Sequence, residues 1–366
     1  MELTTIPTEL LLHIFGSCSS IADVLNLALT CRRLRYVFAS SQKLPILTAA
    51  AEAEYGPLKD IIQLVTQNSS QPAHLIRNAP ISINLLQQIV AVGRVAAKWE
   101  DIYPLKKWKV DFQDRRLLTT SERYHLRRAV YRFWLYCNAF HTAHYPRVSR
   151  VVPNVVRERA ELLHNWSTAE LAEIEDVRAV IRDVVESHIC PSNGTIQRKF
   201  RKRYPENTPS LSFNVHLNYP PPPTLSSPFG TNSYYPDEQT TFFLPRKNDS
   251  FDAQNFSTPQ NKYATKFRSD LYHDPGREGW GDEIPHYYVV EDMLKLDPGQ
   301  IIWLRENTYV KDQVEEYVRS KGEWFENNGE TFAQTLAWVI NERGEDIAAF
   351  SDSIYDMELG IARSDI

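Results

Sequence analysis

Two histidines, His141 and His144, stand three residues apart, a spacing that puts two imidazoles on one face of a helix. A zinc site needs three or four ligands, and no cysteine or carboxylate cluster accompanies this pair, so both read as helix-end histidines meeting the C-terminal dipole or water. Carboxylates are paired at Glu173 with Glu175 and at Glu315 with Glu316. Helical residues one apart point about 100° from each other and residues two apart about 200°, which keeps either pair from converging on one glycosidic bond, and the sequence expectation for all four is a solvated face. The chain has neither a Gly-x-Ser-x-Gly elbow, nor a phosphate-cradling loop, nor a dinucleotide fingerprint. With 13 glycines in 366 residues there is little material for a cradle. The run Arg198, Lys199, Arg201, Lys202, Arg203 has the density of a nuclear import signal or of a patch for an acidic partner, although a helix ending in water is the plainer reading. No spacing assembles a nucleophile, a base and oxyanion donors. The expectation is a non-catalytic protein without metal or cofactor.

Composition narrows the partners. A formal net charge of -5 argues against nucleic acid, whose phosphates call for a basic surface. Hydrophobic residues at 42% and charged residues at 24% are ordinary for a folded chain. Cys18, Cys31, Cys137 and Cys190 are too scattered for a disulfide framework; this is the usage of a reducing compartment, and Cys18 and Cys31 read as small buried apolar groups. Glu2 and Glu9 flank the first apolar residues with no basic n-region, unlike a signal peptide, and no run reaches the ~18 to 20 apolar residues of a membrane span. The expected location is cytoplasmic, nuclear or both, and the sequons at Asn68, Asn165, Asn193, Asn248 and Asn255 read as chance matches.

With no chemistry to position, the elements themselves carry the information. Between Leu3 and Ser41 three short helical patterns follow one another. Pro7, Leu10, Leu11, Ile14, Phe15 and Cys18 form the first, with the proline expected in its opening turn. Ser20 as N-cap and Asp23 open the second, which runs through Ile21, Val24, Leu25, Leu27, Ala28 and Leu29. Cys31, Leu34, Val37 and Phe38 mark the third, beside Arg32, Arg33 and Arg35. The apolar positions of the second helix cover roughly 200° of its circumference, about twice the stripe of a one-sided surface helix. A segment of about 40 residues buries too little to be stable alone, so the rest of the chain or a second protein must cover part of it.

In order, Leu3, Ile6-Pro7, Glu9-Leu10-Leu11, Ile14-Phe15, the run from Ala22 to Leu29, and Thr30-Cys31-Arg32-Arg33-Leu34 resemble an F-box. The match covers about a ninth of the chain. It departs from the family mildly at Leu34, where an aromatic is frequent. The resemblance implies a three-helix domain that docks on the Skp-type adaptor of a cullin-containing SCF ubiquitin ligase. The docking residues it implies are Ile6, Pro7, Leu10, Leu11, Ile14, Phe15, Val24, Leu25, Leu27, Leu29, Cys31 and Leu34. Residues 117–138 further resemble a stretch of fungal F-box proteins whose substrates are mostly unassigned. The implied role is that of the substrate-recognition subunit, a non-catalytic adaptor bringing an unidentified target protein to a ubiquitin-conjugating enzyme. A second reading is an F-box protein that holds the Skp-type adaptor outside a cullin ligase, and a distant third is an enzyme of unrecognised helical class.

The fold expected is mainly α, partitioned as an F-box at 1–45, a helical domain at 46–203, a Pro- and aromatic-rich, partly irregular insertion at 204–290, C-terminal helices at 291–350 and a tail at 351–366. Within the second part the expected helices are 84–99, continued by 101–108, then 117–140 with Thr120 or Ser121 as cap, 155–165 and 168–187. The last carries Glu170, Glu173, Glu175, Arg178 and Arg182 toward solvent. Prolines 220 to 223 predict polyproline II geometry. Exposed aromatics make the insertion and the helices flanking it the expected target-binding surface. Asp297-Pro298-Gly299-Gln300 restarts helix with Asp297 as N-cap and Pro298 at N1. Residues after Phe350 are expected to fray. No repeat of 20 to 50 residues marks a leucine-rich or WD-type domain.

Overall fold

Polar caps recur along the chain ahead of apolar runs with helical spacing, and the outcome is a helical protein. The computed structural model describes residues 6–110, 113–192, 194–195, 280, 286–308, 311–326 and 328–363. The helices are α1 (Thr8–Gly16), α2 (Ile21–Thr30), α3 (Arg32–Phe38), α4 (Lys43–Tyr55), α5 (Leu58–Val65), α6 (Ile83–Lys107), α7 (Thr120–Phe140), α8 (Pro153–His164), α9 (Thr168–Val184), α10 (His286–Met293), α11 (Pro298–Asn307), α12 (Lys311–Arg319), α13 (Phe332–Glu342) and α14 (Ile347–Tyr355). A π-turn, Val185–Ile189, ends α9. Among the described residues there is no β-strand, and the expected mainly α architecture stands. The basic run at 198–203 and nearly all of the 204–290 insertion, including its prolines 220 to 223, lie outside the described residues.

Two compact units divide the chain, the first drawn from Met1–Val180, Asp297–Gly299 and Thr331–Ile366 and the second from Ile181–Leu296 and Gln300–Glu330. In the first, α7 is the pivot. Its N-terminus is fixed by a reciprocal cap in which the Thr119 hydroxyl accepts from the Glu122 N–H at 3.2 Å and the Glu122 carboxylate from the Thr119 N–H at 2.7 Å, one residue before the expected caps. From Ala129 to Cys137 every residue except Trp134 is buried, so the helix is covered all round rather than along the one expected face. It packs on α5 and α6, which also pack on each other, and α4 lies against α6. The α4–α6 approach depends on Gly93, because a Cβ there would stand 2.3 Å from the Tyr55 ring. Tyr55 is itself anchored by its carbonyl, which accepts from the Tyr131 hydroxyl at 2.8 Å. Phe332 at the start of α13 meets Phe133 and Tyr136 edge-on, with centroids at 5.6 and 5.1 Å.

Several expectations for polar residues are corrected by what lies opposite them. Glu173 and Arg178 are buried rather than solvated: Glu173 receives the Arg128 guanidinium from α7 at 2.6 and 3.0 Å, and Arg178 pairs with Glu175 at 2.7 Å. Arg132, also buried, joins Asp60 at 2.8 Å and Glu170 at 3.0 Å. His141 is buried too, its Nε2 accepting from the Thr331 N–H at 3.3 Å, while His144 is exposed. Among the described residues no group of three His, Cys, Asp or Glu could hold a metal.

The expected frayed tail is a further correction. Helix α14 continues past Phe350 to Tyr355, and Ile361 and Ala362 are buried. The Ile361 N–H donates to Asp176 at 3.1 Å, a carboxylate already held by the Tyr103 hydroxyl and by Lys107 at 2.9 Å. Gly360, at φ +103°, makes this possible because a Cβ would come within 2.8 Å of Asp176 and because L side chains rarely adopt that backbone conformation.

In the second unit Asp292 accepts from the N–H groups of Asn328 at 3.0 Å and Gly329 at 2.6 Å. It also pairs at 3.0 Å with the buried Lys295, whose ammonium sits 4.1 Å from the Phe325 ring centroid. Asp297, in the first unit, accepts from the Gly299 N–H at 2.8 Å, as expected of the α11 N-cap.

Candidate functional site

The first three helices are short, and each is set by its own local chemistry. α2 opens at Ser20, whose hydroxyl accepts from the Asp23 N–H at 3.0 Å and donates to the Asp23 carboxylate at 2.7 Å. Cys31 caps α3, its sulfur accepting from the Leu34 N–H at 3.5 Å. α1 starts at Thr8 with Pro7 as its N-cap, so the proline stands just outside the first turn rather than within it. Cys18 and Cys31 are half-exposed rather than buried. Burial, then the Asp23 charge, pushes the Cys18 thiol upward, away from the thiolate needed for nucleophilic chemistry.

These helices are fastened to the body by a limited set of groups. α1 and α2 both pack on α3 and on α4. Leu11, Phe15, Val24, Ala28, Leu34, Val37 and Phe38 are buried, and the Phe15 and Phe38 rings lie 6.0 Å apart at a 31° tilt. The Arg33 guanidinium donates to the Ile6 carbonyl at 2.5 Å. The free N–H of Ile21, in the first turn of α2, donates to Glu54 of α4 at 2.8 Å, which satisfies a group that every helix start leaves open.

The opposite faces are apolar and uncovered. Leu10 is 52% exposed, Ile14 38%, Leu25 44% and Leu29 74%. Pro7, Leu10 and Ile14 follow the i, i+3, i+7 spacing of a single helical face, and Ala22, Leu25 and Leu29 repeat it on α2, with Pro7 and Ala22 exposed. The structure thus divides the twelve residues expected to dock. Pro7, Leu10, Ile14, Leu25 and Leu29 face solvent, Ile6, Leu27 and Cys31 are half-exposed, and Leu11, Phe15, Val24 and Leu34 point into the chain's own core. Tyr36, 81% exposed on α3, was not singled out from the sequence. Its signal was its place beside the buried Leu34, Val37 and Phe38, on the side of the helix that they leave free. Nor did sequence reasoning find Glu54, since nothing near it marks a contact 33 residues back.

An apolar double stripe on helices held rigidly by a separate core can bury surface against a partner; it holds no group able to move a proton or bind a metal. Comparison with known families agrees with this geometry. The F-box-like family model matches residues 3–44, the segment that holds α1, α2 and α3. No curated protein and no solved structure matches the chain. The chain carries an F-box-like domain at residues 3–44.

Proposed function

We propose that the protein is the substrate-recognition subunit of an SCF-type ubiquitin ligase, docking a Skp-type adaptor through Pro7, Leu10, Ile14, Leu25 and Leu29, with Ile6, Leu27 and Cys31 at the margin. Leu11, Phe15, Val24 and Leu34 then act indirectly, holding the helices that present the stripes. The observation that supports this reading is the coexistence of the two sets: one apolar face buried within the chain, a second toward water. Covering a large apolar side chain completely is worth about 1.5 to 3 kcal/mol, and several together offset the cost of association. The chain supplies no catalytic group in this role. It raises the effective concentration of a target lysine near the activated ubiquitin thioester.

The test is co-purification of the full chain with the Skp-type adaptor. Leu25→Asp combined with Pro7→Ala is expected to abolish it, by placing a charge within the apolar contact; retention of the adaptor by that double variant would count decisively against this assignment. Recovery of cullin with the wild-type chain distinguishes a ligase subunit from an F-box protein that binds the adaptor alone.

A further inference from the structure

A cavity of about 570 Å³ opens in the first unit at the C-terminal end of α7, with no residue of α1, α2 or α3 in its lining. It is within the size range of small-ligand sites. Its walls are the 67–73 loop, the last turn of α7 with the residues after it, and Glu158 of α8. No lysine or arginine lines it; among the described residues His144 is its one basic side chain and Glu158 its one carboxylate. The closing carbonyls of a 21-residue helix add partial negative charge in the same place. Glu158 is only lightly engaged, since the Tyr145 hydroxyl reaches its two oxygens at 3.3 Å each. Asn138 and Thr142 stand in the wall, and the buried Thr142 hydroxyl has no partner.

Two arginines do not line the cavity but act on its wall: Arg77 is bonded to the wall residues Gln67, Gln71 and Pro72, and the charge of Arg159 reaches Tyr145. Arg77 donates to the side chains of Gln67 at 2.5 Å and Gln71 at 3.4 Å, and Arg159 donates to the Arg150 carbonyl at 2.8 Å. Leu75 and Ile76 follow the loop wall, Val148 and Val151 follow Tyr145, and all four are exposed.

From this charge pattern we propose that the cavity receives a lysine or arginine side chain of an extended segment of the target protein, with these exposed apolar residues taking its apolar neighbours. This names the target-recognition subsite of the adaptor role above and rests on that reading. A half-buried carboxylate and a helix C-terminus both favour a cation, and arginine in particular is a frequent anchor of protein contacts.

The experiment uses the full chain bound to its Skp-type adaptor and fluorescein-labelled, C-terminally amidated peptides Ala-Val-X-Val-Ala, with X as Arg, Lys, citrulline or Glu. Fluorescence anisotropy is expected to show the Arg and Lys peptides binding about tenfold or more tightly than the citrulline and Glu peptides, the worth of one charge-assisted hydrogen bond. Glu158→Gln should remove the preference for Arg over citrulline. Asn138→Lys, which puts a competing cation at an exposed position of the wall, should weaken the Arg peptide with thermal melting unchanged. Equal binding of Arg and citrulline, no binding by any peptide, or a preference surviving in Glu158→Gln would overturn the proposal. Adaptor co-purification, run in parallel, should survive both substitutions; its absence from the wild-type chain would defeat the docking reading and leave the cation preference of the cavity standing.

Discussion

At Glu122 a single carboxylate links the start of α7 to pH. Burial pushes its pKa up, but Arg116, held at 2.6 Å, and the Thr119 N–H and hydroxyl outweigh burial and leave it below its ordinary value of 4.5. A lowered folded-state pKa means stability that is present above the ordinary value and lost as pH falls through the folded one. Glu122→Gln should therefore cost about 1 kcal/mol at pH 7, and the gap to wild type should narrow below pH 4.5, as urea midpoints at several pH values would show. Glu173 works in the opposite sense: burial raises its pKa more than Arg128 lowers it, so its contribution is full at low pH and lost as pH rises through that raised value. Among the polar residues, Ser20 was legible as a cap because its partner Asp23 lies three positions away. Glu173 was not, because the guanidinium that makes its burial tolerable sits 45 residues earlier, and local charge patterning gave it to solvent.

Elements were legible where periodicity decides and illegible where contact decides. The ranges of α2, α6 and α7 follow from apolar spacing and caps. Which side of α2 is covered does not, since an apolar arc of roughly 200° contains both Val24, which is buried, and Leu25, which faces water. The approach of α4 to α6 was equally hidden, because Gly93 reads in sequence as a weak point in a helix. Replacing a mid-helix glycine by alanine ordinarily stabilises by about 0.5 to 1 kcal/mol. Here the added methyl meets the Tyr55 ring at 2.3 Å and the Tyr55 Cβ at 2.9 Å, and the main chain that carries them is held where the Tyr55 carbonyl accepts from the Tyr131 hydroxyl. Gly93→Ala should reverse the usual sign and destabilise by about 1 to 3 kcal/mol, read as a lower denaturant midpoint with an unchanged slope.

At the scale of the whole molecule, the C-terminal segment belongs to the core of the first unit. Ile361 and Ala362 are buried, and Asp176 receives the Ile361 N–H. Sequence gave no hint of this, because Gly360 and a short apolar pair look like the end of any chain until the carboxylate they cover is known. Removing residues 358–366 should cost at least about 3 kcal/mol, from one lost isoleucine burial and one buried carboxylate deprived of a donor. A freely frayed tail would cost nothing measurable in thermal or urea unfolding. The same separation of roles holds at the opposite end of the chain, where one set of apolar residues stabilises the domain and another is left for a partner. The most direct measurement is the affinity of the full chain for a purified Skp-type adaptor, alongside its melting curve, for wild type and for Leu25→Ser with Leu29→Ser. The expected result is a loss of about a hundredfold or more in affinity with folding stability changed by no more than about 0.5 kcal/mol. Wild-type affinity in the double variant would contradict the assignment of these stripes as the adaptor's seat.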